Sequence, residues 1–165
     1  MPKEFIITRT FDAPPEILWC AWTEPKPFAK WFGPKGLKAE VKTIDVREGG
    51  ILHSSMKMPD GHVMWAKFIY REVEKPKRLS WEHFFSDESG GVTRHPMHTH
   101  WPLKLLTTVK LEAVGNQTRQ TLIWVPLEAT DIERKAFEDN IPTMNMGWGG
   151  TFEQLDAFLK EAKAA

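Results

Sequence analysis

The stretch most informative about the fold is Met146–Phe152 (MGWGGTF), within the C-terminal segment Thr130–Ala165. Apolar residues recur there at helical spacing and form one stripe, at Trp148, Phe152, Leu155 and Leu159. The stretch also holds three glycines, and each glycine inside a helix costs about 0.5–1 kcal/mol relative to alanine. We therefore expect a sheet or a ligand to approach the bare backbone closely. The pattern predicts a long helix laid across a curved sheet, with space between the two.

Composition excludes several classes of protein. Of the 165 residues, 41% are hydrophobic and 27% are charged, which predicts one soluble globular domain over residues 1–165. The 22 basic and 22 acidic residues form no block of one sign, so the basic surface of a nucleic-acid-binding protein is not expected. Eight tryptophans and ten phenylalanines beside one tyrosine indicate a large aromatic core or a ligand cavity.

The cellular compartment is predicted from two features. Cys20 is the single cysteine, which excludes an intrachain disulfide and favours a reducing compartment. The first four residues carry no apolar signal region, and no later run is long enough to span a bilayer. We expect a cytoplasmic protein without membrane insertion.

The remaining elements follow from local patterns. A strand over 5–11 precedes short helices over 15–23 and 28–32, with Glu24–Pro27 as the break between the helices. Strands are predicted over 37–47, 51–58, 62–73, 79–85, 105–113 and 119–125, joined by short turns such as Pro59-Asp60-Gly61. Thr130 and Glu133 form a capping box, and Pro142 begins the long helix. This order predicts an antiparallel meander with helices on one side, an α+β fold.

Several motifs give the chain a family resemblance. They are FDAP at 11–14, AWTEP at 21–25, WFGPKG at 31–36, EGG at 48–50, PDG at 59–61, PKRLSW at 76–81 and GWGG at 147–150. In this order they resemble the AHSA-type branch of the SRPBCC (START-like, birch-pollen-allergen-like) superfamily. The resemblance implies a helix-grip fold, in which a curved sheet of about six to seven strands grips the C-terminal helix over a deep pocket.

The same resemblance leaves the function open. Related proteins bind lipids, sterols or polyketide-like molecules, some are cyclases, and the branch is named after an activator of a heat-shock-protein ATPase. Two departures from the family pattern matter. The segment 86–100 is longer and richer in histidine than is usual, and we expect it to be an extended surface loop that is either mobile or folded over a cavity mouth. Phe68 stands where the fourth strand usually has glycine, and it would reduce or reshape the pocket.

An apolar pocket is the leading site hypothesis. Alternation places Trp81, His83 and Phe85 on one face of their strand, and the family register adds further residues to that face. The predicted ligand-binding residues are Trp22, Ser54, Met56, Met64, Phe68, Tyr70, Trp81, His83, Phe85, Val109, Leu122, Trp124, Trp148 and Phe152. Such a lining favours a hydrophobic or aromatic ligand. The alternative is that these residues simply fill the core.

The histidines and the single tyrosine suggest two further chemistries. His83 or Tyr70, facing an apolar pocket, would be the acid or base of an enzyme, although a core histidine bonded to a neighbour is the simpler interpretation of His83. His95, His98 and His100 suggest zinc or nickel, but no carboxylate or cysteine stands at a metal-binding spacing, so a solvated loop is favoured.

The sequence therefore predicts a small-molecule-binding protein with a pocket between sheet and C-terminal helix. The alternatives are an ATPase-activator-like co-chaperone or stress-response interaction module, and a cyclase- or hydrolase-like enzyme. No cofactor is expected. A hydrophobic small molecule is the expected partner, while a protein partner or a homodimer stays open and nucleic acid is excluded.

Overall fold

A computed structural model describes residues 3–33, 37, 39–95 and 98–164. The elements, in chain order, are β1 Phe5–Phe11, α1 Pro15–Thr23, α2 Pro25–Trp31, β2 Ala39–Ile44, β3 Ile51–Lys57, β4 Val63–Glu74, β5 Arg78–Ser86, β6 Lys104–Val114, β7 Gln117–Leu127, α3 Asp131–Asp139 and α4 Ile141–Ala164. The strands form one antiparallel sheet in the order β1-β7-β6-β5-β4-β3-β2. The predicted α+β helix-grip fold is confirmed.

The turns explain why consecutive strands pair. Gly61, between β3 and β4, and Gly115, between β6 and β7, have φ angles of 91° and 62°, which glycine adopts without steric cost. Strand β1 pairs with β7 at the far edge, so Phe5 lies opposite Trp124. The N-terminal strand therefore extends the sheet at the edge where the chain leaves it for the C-terminal helices.

The second helix begins earlier than the sequence indicated. We predicted a break at 24–27 and a helix from residue 28, but α2 begins at Pro25. Pro25 and Pro27 lie in its first turn, where a missing N–H removes no helical hydrogen bond. Glu24 has an extended backbone and alone separates the two helices. The first strand after them, predicted over 37–47, is shorter and covers Ala39–Ile44.

The junction of α3 and α4 forms as predicted. Glu133 N donates to Thr130 Oγ1 over 3.1 Å, and Thr130 N donates to Glu133 Oε1 over 3.0 Å, which completes the capping box. Pro142 lies in the first turn of α4. None of the helices among the described residues combines the length and apolar character needed to cross a membrane.

Aromatic rings fill the space between the sheet and α4. Phe68 is 1% exposed and stacks on Trp81, with ring centroids 4.7 Å apart. The ring edges of Phe28 and Phe32 also approach Phe68, at 6.2 and 5.9 Å. The stripe of α4 covers this layer, because Trp148, Phe152, Leu155 and Leu159 are all buried. The centre of the fold is therefore a packed aromatic core.

The glycines of α4 are not explained by close packing. Among the described residues, no atom outside the local helix lies within 4 Å of a Cβ built at Gly147, Gly149 or Gly150. Our prediction that the sheet approaches this bare backbone closely is therefore wrong for the part of the chain that the structure describes. Side chains of α4 instead contact the segment that follows α2: Thr151 Oγ1 and Gln154 Nε2 donate to Gly33 O over 3.1 and 2.6 Å.

Alanine at these glycines should stabilise the protein. Gly147→Ala and Gly150→Ala are each expected to raise the free energy of unfolding by about 0.5–1 kcal/mol, because alanine removes the entropic cost of glycine in a helix. Urea denaturation measures the change. Gly33→Ala is the control and should destabilise, because Gly33 has a φ of 105° and its Cβ would lie 2.5 Å from Met56 Sδ. A loss of stability in Gly147→Ala would contradict the open surroundings of this helix.

Candidate ligand-binding site

A cavity of about 230 Å³ lies at one end of the inner face of the sheet. We call it the end cavity. Strands β5–β7, the segment before β6 and the junction of α3 with α4 enclose it. Its walls are formed by His83, Phe84, Phe85, His95, His98, Trp101, Pro102, Leu103, Leu105, Trp124, Asn140, Thr143 and Met144.

The strand register brings the inner wall together. His83 pairs with Leu105, and Thr107, two residues further along β6, pairs with Trp124. The rings of His83 and Trp124 therefore meet edge to face, with centroids 5.5 Å apart at 87°. Trp124 Nε1 donates to Thr107 Oγ1 over 2.6 Å, which fixes the orientation of the indole.

The segment before β6 supplies the outer wall. Trp101 is 8% exposed and packs between Trp124 and Phe137, at centroid distances of 6.3 and 5.8 Å. His95 packs against Phe85 at 4.8 Å. The sequence placed a loop at the mouth of a cavity, and the described part of that loop does line one.

Polar contacts fasten this wall to the helices. The Arg94 guanidinium pairs with the Glu133 carboxylate at the start of α3 and also donates to Trp101 O over 3.3 Å. Asn140 Nδ2 donates to Ala136 O over 2.8 Å and lies 3.4 Å from His98 Nε2, which accepts from it. The segment before β6 is thus bound to the α3–α4 region at two points, Arg94 and His98.

His83 is a neutral imidazole. Trp81 Nε1 lies 3.4 Å from His83 Nδ1 and donates to it, so the ring proton is on Nε2. The ring borders the cavity but is otherwise surrounded by protein, and this burial lowers the pKa of His83 to about 3. At neutral pH the side chain offers the cavity a hydrogen-bond donor without a charge.

The rest of the described lining holds no acidic side chain and no lysine or arginine. Burial lowers the pKa of His95, and the nearby His98 lowers this pKa further. Among the described residues that line the end cavity, none is Asp, Glu, Lys or Arg. An ionic ligand would therefore lose its hydration without gaining a buried counter-charge, which is costly.

The predicted site residues divide into three groups. His83, Phe85 and Trp124 line the end cavity. The register confirms that the predicted strand residues share one face, since Phe68 pairs with His83 and Val109 with Leu122. However, most of them are buried in the packed centre rather than at the cavity: Trp22, Ser54, Phe68, Tyr70, Trp81, Val109, Leu122, Trp148 and Phe152. Two others are half-buried elsewhere, Met56 beneath Gly33 and Met64 at a surface cleft beside β4.

Sequence reasoning missed much of the cavity. Leu105 could have been found, because it continues the alternation of Val109 and Leu111 along β6. Trp101 and three residues at the α3–α4 junction, Asn140, Thr143 and Met144, carried no such signal. Their place in the site depends on how the α3–α4 junction packs against the end of the sheet.

The two acid–base candidates lack the properties of catalytic groups. Tyr70 is 1% exposed and does not line the end cavity, and among the described residues its Oη has no hydrogen-bond partner. Burial raises the pKa of Tyr70. The pKa of His83 is far below the neutral range in which a general base is most effective.

The three loop histidines do not converge on one point. The rings of His95 and His98 are 6.3 Å apart and both border the end cavity, whereas His100 lies at a neighbouring surface cleft. Within the described ranges, no group of three or more His, Cys, Asp or Glu side chains is arranged to hold a metal ion. His95 and His98 contribute to the cavity wall instead.

A comparison with protein families matches residues 12–160 to the family described as "Activator of Hsp90 ATPase homolog 1-like protein". A sequence comparison with curated proteins gives no match.

Solved structures with the same fold come from several bacteria. A protein of Arthrobacter aurescens is 28% identical, with a TM-score of 0.80 over 97% of this chain and 87% of that one. A protein of Nitrosomonas europaea is 26% identical, with a TM-score of 0.75 over 98% and 97%. A protein of Mycobacterium smegmatis, 23% identical with a TM-score of 0.77 over 96% and 91%, is similar in fold.

Proposed function

The chain belongs to the Activator of Hsp90 ATPase homolog 1-like protein family, and from that membership we propose that it binds a small hydrophobic molecule reversibly in the end cavity. The observation that carries the proposal is a partly enclosed space of about 230 Å³ walled by aromatic rings, with no Asp, Glu, Lys or Arg among the described residues that line it. Cavities of this character are typical of small-molecule sites.

The expected driving force is burial of apolar surface. An aromatic ring system buries about 150–250 Å², and at about 25 cal/mol per Å² this contributes roughly 4–6 kcal/mol before the entropy lost on association is subtracted. Hydrogen bonds to His83 and the fit against Trp101 and Trp124 would then set selectivity. We expect a modest affinity for any ligand that gains contact area alone.

Blocking the cavity mouth tests the proposal. Thr143 is exposed and borders the end cavity, so Thr143→Arg should place a long charged side chain at its opening. Asn145→Arg is the matched control, because Asn145 is exposed on the same helix and is absent from the cavity wall. Isothermal titration and native mass spectrometry would use a neutral aromatic, a fatty acid and a sterol as probes.

We expect at least one probe class to bind the wild type and Asn145→Arg alike, and to bind Thr143→Arg at least about tenfold more weakly, a difference of about 1.4 kcal/mol. If no probe binds the wild type, or if Thr143→Arg binds as well as the control, the proposal is overturned.

A protein-binding function is the second candidate. The printed family description names an ATPase activator, and two large apolar side chains stand in solvent, Ile132 at 63% and Met146 at 73% exposure. An activator would use these side chains to contact an Hsp90-type ATPase. Ile132→Asp with Met146→Asp should then abolish stimulation of ATP hydrolysis, while Thr143→Arg leaves it intact. Unchanged ATP turnover on addition of the wild-type protein would exclude this candidate.

A further inference from the structure

The geometry points to an uncharged one- or two-ring aromatic molecule carrying a hydrogen-bond acceptor as the ligand of the end cavity, rather than a lipid or a sterol. This inference rests on the proposed function and specifies the ligand class for the same site. Size, ring arrangement, charge and hydrogen bonding each support it independently.

Size limits the ligand first. The end cavity, at about 230 Å³, is smaller than the roughly 300–1,000 Å³ of sites for drug-sized ligands. A longer molecule would need the space between sheet and α4, and the stacked rings of Phe68 and Trp81 fill it. Trp148 closes the same space from the helix side, with its ring 5.5 Å from that of Trp124. An acyl chain or a sterol nucleus therefore has no path inward.

The walls are arranged for a flat ring. Trp101 and Trp124 meet at 59°, His83 and Trp124 at 87°, and Phe85 and His95 at 60°. Inclined rings of this kind present both faces and edges to the space between them. A planar aromatic guest gains edge-to-face and offset contacts there, each worth about 0.5–1.5 kcal/mol beyond its buried area.

The polar groups define the remaining chemistry. His83 Nδ1 accepts from Trp81, and among the described residues Nε2–H has no acceptor, so it is free to donate to a ligand. On the helix side, the amide N–H groups of Asn140 are engaged by Ala136 O and His98, and its Oδ1 accepts from no described residue. A neutral acceptor such as a carbonyl satisfies His83, whereas a carboxylate would enter a lining without a described cation.

Three probes of nearly the same size separate these requirements. Acetophenone is neutral with an acceptor, ethylbenzene is neutral without one, and benzoate is charged. Palmitate and cholesterol represent lipids. Titration calorimetry or saturation-transfer NMR at pH 7.5 would compare all five on the full chain. We expect acetophenone to bind about tenfold or more tightly than benzoate, ethylbenzene to fall between them, and the two lipids not to bind the cavity.

His83 variants test the hydrogen bond. His83→Phe should reduce the preference for acetophenone over ethylbenzene to within about twofold, and ethylbenzene should still bind. His83→Gln keeps an N–H donor and should retain the preference. Each variant is first checked for native fold by its amide NMR spectrum, and a merely structural role of His83 would weaken both probes equally.

The outcomes distinguish the two proposals. Benzoate binding as tightly as acetophenone, or an unchanged preference in His83→Phe, overturns the inference. Binding of palmitate or cholesterol without any of the small aromatics also overturns it, yet leaves a hydrophobic-ligand function standing. If none of the five probes binds, the proposed function itself fails.

Discussion

Phe68→Ala is expected to lower the free energy of unfolding by about 3–5 kcal/mol, the usual effect of truncating a buried phenylalanine. Phe68 is 1% exposed, and its ring stacks on Trp81 at 4.7 Å and an angle of 16°. The rings of Phe28, Phe32 and His83 also contact it, at 6.2, 5.9 and 4.6 Å. These neighbours come from α2, from the residue that caps it and from β5, so we expect them to close the vacated space only in part.

Urea denaturation at neutral pH measures this loss. Phe158→Ala is the control. Phe158 lies on α4 but is only half-buried, so its truncation should lower the free energy of unfolding clearly less. The Phe68→Ala protein should also gain an apolar space in its centre, and an apolar cavity of this kind takes up benzene. A loss below about 1 kcal/mol would contradict the packed centre on which the location of the site depends.

Acidification should destabilise the protein through His83. Its pKa is about 3 in the folded protein and about 6.5 in an unfolded chain. As pH falls below 6.5, the unfolded state binds a proton that the folded state excludes, so stability is lost between pH 6.5 and 3. The loss approaches about 1.4 kcal/mol per pH unit, which amounts to about 2 kcal/mol at pH 5.

Unfolding free energies at pH 7 and pH 5 isolate this contribution. The wild type should lose about 2 kcal/mol more than His83→Phe over this interval, because other titrating groups cancel in the difference. His62→Gln is the control: His62 is exposed on the turn between β3 and β4, and its removal should leave the wild-type dependence unchanged. Equal losses in the wild type and His83→Phe would show that His83 titrates normally in the folded protein.

The fold could be predicted because its signals are local. The stripe from Trp148 to Leu159, the capping box at Thr130 and the glycine turns each constrain a few neighbouring residues, and all agree with one architecture. The start of α2 was predicted too late because proline is common both just after a helix and in the first turn of one. Local sequence does not distinguish these two positions for Pro25 and Pro27.

The site was harder to predict because a cavity is the space that packing leaves unfilled. Phe68 stood out in the sequence as a departure that would reshape the pocket. Phe28 in α2 and Phe32, which caps this helix, pack against Phe68 and help to fill the centre. These contacts depend on how α2 docks on the sheet, which local sequence patterns do not show. Asn140 and Thr143 likewise line the same cavity as His83 only because the α3–α4 junction packs against the end of the sheet. The glycines of α4 suggested a close neighbour, because glycine in a helix has an entropic cost. That cost alone does not show that any group packs against the glycines.

We expect ligand to bind at the end of the sheet and not beneath the middle of α4. Fluorine NMR of protein labelled with 5-fluorotryptophan tests it directly, because the eight tryptophans are distributed over both regions and can be assigned by single Trp→Phe variants. On titration with acetophenone, we expect the Trp101 and Trp124 signals to shift and the signals of Trp22, Trp31 and Trp81 to stay unchanged. Shifts of the latter three, with Trp101 and Trp124 unmoved, would contradict it.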